Sequence, residues 1–243
     1  MLTPEETERY DRQLIMDNIG QEGQEKLKQA NVFLAGAGGL GSPISLFLAA
    51  AGIGKICIVD DGFVETSNLN RQILYGDEDL GQAKVVCAQK ALERLNPHIQ
   101  VEAIPKKIQA QNVSELVGNC DIIVDALDNY ATRYLLNQVA FQKNIPLVHG
   151  AVEEFYGQAT TIIPGKTNCL KCLVPSGPAQ QVWPIISVTC GLIASIQAAE
   201  VIKYIVGVGH LLENRFLMAD GLHTKVEEME LERTSNCEIC KNR

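Results

Sequence analysis

The chain has 243 residues, 46% of them hydrophobic and 21% charged, with a formal net charge of −8. That length and composition support one packed α/β domain, with or without an appendage, and exclude a disordered chain. The acidic balance, with no block of basic residues, excludes nucleic acid and anionic membrane as primary partners, whereas a small anion such as ATP needs only a local cluster of donors.

The first residues, MLTPEETERYDRQ, are acidic and polar where a signal peptide is basic and then apolar, so a cytoplasmic protein is expected. From Pro4 to about Ala30 the pattern predicts a charged helical arm, with Gly20 and Gly23 as interruptions. NVFLAG predicts a buried strand, and GLGSPISLFLAAAG predicts the helix packed against it. KICIVD is the next strand, followed by the polar loop DGFVETSNLNRQILYG and the helix QAKVVCAQKALERLN. Strands follow at QVEAIPKKI and DIIVDAL, then the helix NYATRYLLNQVAFQKN, then strands at IPLVHGAV and GQATTIIPG.

Alternation of this kind predicts a Rossmann-like, doubly wound and mostly parallel sheet. After Pro164 the rhythm changes. A Cys-x-x-Cys loop leads into VPSGPAQQVWP and then a long apolar helix from about Val188 to Val206; RFLMADG and KVEEMELE close as an antiparallel extension. The most apolar stretches, PISLFLAAAGIG and IISVTCGLIASI, are each about a dozen residues, short of the roughly 20 needed to cross a bilayer, and predict buried helices without a membrane partner. The expected layout is one domain over 1–243. It comprises an arm at 1–30, a nucleotide-binding half at 31–150 and a partner- and metal-binding half at 151–243.

Gly36, Gly38 and Gly41 fit G-x-G-x-x-G after a strand and before a helix, answered by Asp60 about 20 residues on. Glycine permits the tight turn and lets backbone N–H groups approach a phosphate at the helix start, while the acid can accept ribose hydroxyls. The alternative is a turn needed only for close helix–strand packing. Asn68, Arg71 and Lys84 then supply amide and positive charge suited to a triphosphate; singly, each also reads as an ordinary surface residue. Asp128 and Asn129 close a strand at the same edge as Asp60. A carboxylate there could hold Mg²⁺, or Asp128 could cap the helix that begins near Asn129.

YDRQ, GAGGLGSP, DDGFVETSNLNRQ, GQAK, DALDN and the paired Cys-x-x-Cys occur in the order seen in the ThiF/MoeB/HesA family, which the chain resembles from about Tyr10 to Cys240. That resemblance implies an adenylyltransferase that uses ATP and Mg²⁺ to adenylate the C-terminal glycine of a ubiquitin-like sulfur carrier ending in Gly-Gly, in sulfur-containing cofactor synthesis such as that of molybdopterin or thiamine. It further implies a homodimer and a sulfurtransferase as an additional partner. By the same resemblance Gly39 contacts the nucleotide, Asp60 holds the ribose, Ser67, Asn68, Leu69, Asn70, Arg71 and Lys84 form the phosphate-binding segment, and Asp128 engages the metal. Arg12 resembles an arginine that reaches across the dimer into the neighbouring site; read from the sequence alone, it is a surface residue pairing with Glu8. The competing readings are an NAD-dependent oxidoreductase and a non-catalytic scaffold of a heterodimeric activating enzyme.

A chain-terminal carboxylate has a reference pKa of at most about 3.7, so this chemistry needs no general base. His98, His149, His210 and His223 accordingly fall outside the cluster. Of the eight cysteines, Cys169, Cys172, Cys237 and Cys240 form two Cys-x-x-Cys pairs suited to a closed tetrahedral Zn²⁺ site, with redox-active dithiols as the alternative. Relatives carry a further reactive cysteine in the segment crossing near the nucleotide. Here that segment, LVPSGPAQQVWPI, has none, and its SGPAQQ part is expected to be a mobile loop over the partner's tail. Cys190 is the nearby candidate, read as a buried structural residue, and Cys57, Cys87 and Cys120 as core.

Overall fold

In the computed structural model, which describes residues 1–177, 183–231 and 237–240, the apolar run Asn31–Ala35 is a buried strand, β1. It lies beside β2 (Lys55–Val59) on one side and β4 (Ile122–Asp125) on the other, all parallel. β3 (Gln100–Ile104) pairs outside β2, and β5 (Leu147–Glu153) outside β4. β6 (Tyr156–Ile162), β7 (Arg215–Asp220) and β8 (Lys225–Glu230) add antiparallel strands, giving one eight-stranded sheet in the order β3-β2-β1-β4-β5-β6-β7-β8. Parallel strands with apolar residues on both faces need helices on both faces, and the two core clusters lie on opposite sides of the sheet.

The helices are α1 (Pro4–Arg9), α2 (Asp11–Leu14), α3 (Gly20–Gln29), α4 (Gly41–Ala51), α5 (Lys84–Leu95), α6 (Val113–Val117), α7 (Tyr130–Lys143), α8 (Leu170–Leu173) and α9 (Ser187–Val206). α6 and α8 were not legible in the sequence; at five and four residues they are too short for periodicity to reveal. The N-terminal arm is three helices. Gly20, at φ +56°, opens α3, whereas Gly23 lies inside α3 and interrupts nothing. A side chain at Gly23 would press on Val206 of α9.

The expectation of apolar helices too short for a bilayer is corrected at α9. Its 20 residues are long and apolar enough to cross one by length and composition. It packs against α3, α4 and strands β4 to β6, and it buries Glu200. That carboxylate accepts hydrogen bonds from the Thr161 hydroxyl and the Leu212 N–H and pairs with Lys203. A buried acid so paired belongs to a protein core. The boundary expected at 150/151 falls inside β5, so both halves share the one sheet.

Sheet order reverses between β1 and β4, because the chain runs outward through β2 and β3 before returning. In open α/β sheets a crevice forms at the carboxyl ends of the strands flanking such a point. The loops after β1, β2 and β4 converge on it.

Candidate active site

β1 ends in a turn that only glycine fits. Gly36 has φ +100°, and a Cβ there would lie 2.6 Å from the carbonyl oxygen of Ala126 on the β4 side. A Cβ at Gly41 would run into the Gly36 carbonyl. The loop is also tethered: Asp60 at the end of β2 accepts the Ala37 N–H at 2.8 Å and the Gly62 N–H at 2.7 Å, and Tyr75 donates its hydroxyl proton to the Ala37 carbonyl at 2.8 Å.

Above this turn lies a cavity of about 1210 Å³ at the carboxyl edge of the sheet. Of the site residues expected from the sequence, Gly36, Gly38, Gly39, Asp60, Asn68, Arg71, Lys84, Asp128 and Asn129 line it together. A Cβ on Gly62 would sit 2.9 Å from Asp60 Oδ1 and 3.3 Å from Lys84 Nζ, so carboxylate and ammonium face the same point. Arg71 is held by the Ser67 carbonyl at 2.8 Å and Asn70 Oδ1 at 3.0 Å. Among the described residues, no carboxylate lies within ion-pair distance of Arg71 or Lys84, and no cation within that distance of Asp128. The cavity therefore presents unneutralised charge of both signs.

Five expected residues fall outside the lining. Gly41 is behind the turn, where it serves packing. Ser67 and Asn70 flank Arg71 and orient it, and Leu69 turns into the core. Arg12 is also remote; its side chain is 88% exposed on α2 and pairs with Asp11 at 3.8 Å, not with Glu8. Asp128 does not cap α7. Asn129 does, accepting the Thr132 N–H at 2.9 Å, which leaves Asp128 with one long contact from Asn129 at 3.3 Å. That exposed carboxylate, aimed into the cavity, fits a hard divalent ion that keeps several waters. Lys106 and Lys107, read as the tail of a strand, form the loop after β3 and line the cavity too.

Beneath the floor lies a network that motif reading did not reveal. Asp125 is fully buried. His149 Nδ1 lies 2.7 Å from its Oδ2 and Arg133 Nε 3.3 Å from the same oxygen, while Arg133 Nη2 donates to the carbonyls of Leu127 and Gly150. Burial alone would raise the Asp125 pKa; the Arg133 charge and the His149 bond outweigh it and hold the carboxyl below its usual range. Burial also depresses His149, despite Asp125. The signal was an acid and a histidine inside apolar strands, DIIVDAL and IPLVHGAV, which calls for a buried pair.

The four paired cysteines converge. All sulfurs lie within 4.8 Å of one another, with Cys169–Cys172 at 3.8 Å, Cys169–Cys237 at 3.6 Å and Cys172–Cys240 at 3.5 Å. Tetrahedral zinc with Zn–S bonds of about 2.3 Å requires sulfurs roughly 3.8 Å apart. The donor set and spacing thus fit zinc, and the separations are too long for disulfides, whose S–S bond is about 2.05 Å. Cys190 is in the first turn of α9 and buried; a Cβ on Gly39 would lie 3.0 Å from its sulfur, so it packs beneath the glycine turn. Burial pushes its thiol up to about 11 against the lowering effect of Arg71, which marks a structural residue. Cys57, Cys87 and Cys120 are core residues.

The segment crossing toward the site returns at Glu154, whose N–H donates to the Pro184 carbonyl at 2.7 Å, and Trp183 and Ile185 join the cavity wall. Pro178 to Val182, the middle of the expected loop, lie outside the described residues.

Residues 10–240 match the ThiF family. The chain belongs to that family. It is 40% identical to the SAMP-activating enzyme E1 of Haloferax volcanii, over 96% of this chain and 88% of the relative. It is 39% identical to the sulfur carrier protein adenylyltransferase of Thermus thermophilus, over 98% and 92%. Its fold is similar to the crystal structure of E. coli MccB with ATP, at a TM-score of 0.83 and 26% identity, covering 90% of this chain and 68% of that one.

Two outcomes follow from this ThiF-family site. An unfolded histidine takes up a proton below about pH 6.5, whereas the buried His149 ring resists one, so stability is lost as pH falls through that range. Urea midpoints measured between about pH 7 and about pH 5 should fall more steeply in the parent than in His149→Gln; equal slopes would show that the ring is not held neutral. Chelation should strip metal from the four-cysteine site and lower Tm, with metal content followed by atomic emission. An unchanged Tm in a metal-free preparation would remove the structural role.

Proposed function

We propose that this chain is an adenylyltransferase that uses ATP and Mg²⁺ to adenylate the C-terminal glycine of a ubiquitin-like sulfur carrier, releasing pyrophosphate, in the synthesis of sulfur-containing cofactors. The observation that carries this reading is the gathering of the unpaired cations Arg71 and Lys84 with Asp60 and Asp128 around a glycine turn at one cavity. The relatives' names, a SAMP-activating enzyme and a sulfur carrier protein adenylyltransferase, support the activity class and a carrier of this kind.

The reaction joins two anions. A carboxylate oxygen of the carrier attacks the α-phosphorus of ATP, an acyl–phosphate bond forms, the bond from that phosphorus to the bridging oxygen breaks, and pyrophosphate leaves with the electron pair. No proton need be removed, in keeping with a cavity that has no histidine in its wall. The task is positioning and charge. Asp60, already tied to the glycine turn, has lone pairs left for ribose hydroxyls. Arg71 and Lys84 face the phosphates and offset charge on the departing pyrophosphate. Asp128 would hold Mg²⁺, which supplies further charge neutralisation on the phosphates. The carrier's diglycine tail would enter over the antiparallel strands, where Tyr156, Gly157 and Met218 line the far end of the same cavity.

We place Arg12 in the neighbouring site of a homodimer. In support, its side chain has among the described residues a single long, exposed ion-pair contact, to Asp11, and is followed by exposed Ile15 and Met16. Arg71 and Lys84 in the cavity wall suit a chain of phosphates better than an uncharged nicotinamide half, which disfavours a dinucleotide. Their retention together disfavours a scaffold.

Arg71→Ala and Lys84→Ala should each slow carrier-dependent ATP–pyrophosphate exchange by about 10²–10³-fold, and near-parent exchange in either would remove it from the site. If Arg12 acts across the dimer, mixing Arg12→Ala with Lys84→Ala subunits should restore about a quarter of parental activity by pairing one intact site per heterodimer. Failure of the mixture to exceed its components would place Arg12 outside the neighbouring site.

A further inference from the structure

Helix α7 turns a polar side chain toward the four-cysteine cluster. Asn137 is fully buried, and its Oδ1 accepts the Leu170 N–H at 2.8 Å, at the first residue of the helix inside the first cysteine pair. The other end of the amide, Nδ2, is buried and has no hydrogen-bond partner. Native interiors seldom leave such a donor unpaired, so each case needs a reason. The reason is adjacent. Its Oδ1 is fixed on the N–H that directly follows Cys169, so the unpaired end of the amide lies beside that ligand, where it favours the thiolate.

A divalent ion on four thiolates leaves two excess negative charges, here in a cluster whose Cys169 and Cys240 are buried. Buried charge requires donors around it. Backbone N–H groups supply part of this, those of Ile239 and Cys240 beside the Cys237 sulfur, whereas the Cys172 N–H is taken by the Cys169 carbonyl at 2.9 Å. Groups of this kind outside the ligand set orient ligands and tune metal affinity.

We propose that Asn137 Nδ2 donates an N–H···S hydrogen bond to the Cys169 thiolate of the zinc-loaded cluster and thereby sets its metal affinity. The buried donor, which has no partner among the hydrogen bonds of the described residues, is then satisfied by the anionic sulfur. This inference rests on the zinc reading of the four cysteines and is independent of the adenylation site.

Asn137→Asp keeps the shape and the acceptor for Leu170 but replaces the donor by a charged oxygen, and Asn137→Leu removes the donor without adding charge. The zinc affinity of both, measured by competition with a chromophoric chelator, should fall by about 10–100-fold, and a loss confined to Asn137→Asp would be charge repulsion and overturn the bond. In cobalt-substituted protein the thiolate-to-metal charge-transfer band should move to lower energy, because a thiolate that has lost a hydrogen bond gives up electron density more readily. A purely structural Asn137 would lower Tm equally with and without metal and leave affinity and band unchanged; that result overturns the proposal. Should the variant not fold, the parent loaded with a spin-half cadmium isotope decides: coupling between cadmium and the Asn137 amide protons supports the bond, and its absence overturns it. A parent protein that binds no zinc overturns the zinc reading and this one together, whereas a zinc-binding parent with an unaltered variant overturns this one alone.

Discussion

A carboxylate without access to water sits at the end of β4, and the rim of the site hangs from it. Asp125 cannot stay ionised in an apolar interior without a partner. Arg133 and His149 supply one, and the Arg133 guanidinium continues to the carbonyls of Leu127 and Gly150. The loop after β4 is thus fixed against β5, three residues before it presents Asp128. Removing Asp125 or Arg133 alone leaves an uncompensated buried charge, at a cost of about 3–5 kcal/mol, whereas replacing the whole cluster by apolar residues is often neutral. What the cluster supplies is position more than net stability.

The same edge shows how neighbouring strands divide the work. β1 contributes the turn, closed by the absence of Cβ atoms at Gly36 and Gly41. β2 contributes Asp60, which spends lone pairs on the Ala37 and Gly62 N–H groups and so ties the end of β2 to that turn. The segment from Ser67 to Lys84 brings cations across the opening. Because no carboxylate among the described residues pairs with these cations, no ion pair has to be broken when an anion arrives, which is the property that makes fixed charge effective.

Helix α7 joins the two chemically distinct parts of the molecule. Asn129 caps it at the cavity end, Arg133 faces the buried acid one turn on, and Asn137 lies toward the cysteine cluster one turn further. On an adjoining face Tyr134 donates to the Val174 carbonyl and accepts the Gly177 N–H, holding the start of the crossing segment. A helix with side chains four residues apart on one face is a short, stiff spacer between the sites.

The order of strands and helices was legible in the sequence, because apolar runs and helical periodicity are local signals. So were the glycine turn, Asp60, the cation-bearing loop and the paired cysteines, because each is a short motif with its own chemistry. Helices α6 and α8, the cap at Asn129 and the end of β3 before Lys106 escaped because a few residues carry no period. The Asp125–Arg133–His149 cluster escaped for another reason. Its members are far apart in the chain and meet only when β4 lies beside β5 and α7 covers both, with Asp125 opposite His149 in register. Which residues of a motif face the cavity, Arg71 and not Asn70, Gly39 and not Gly41, was likewise decided by packing, since the direction of a side chain depends on neighbours that the local sequence does not contain.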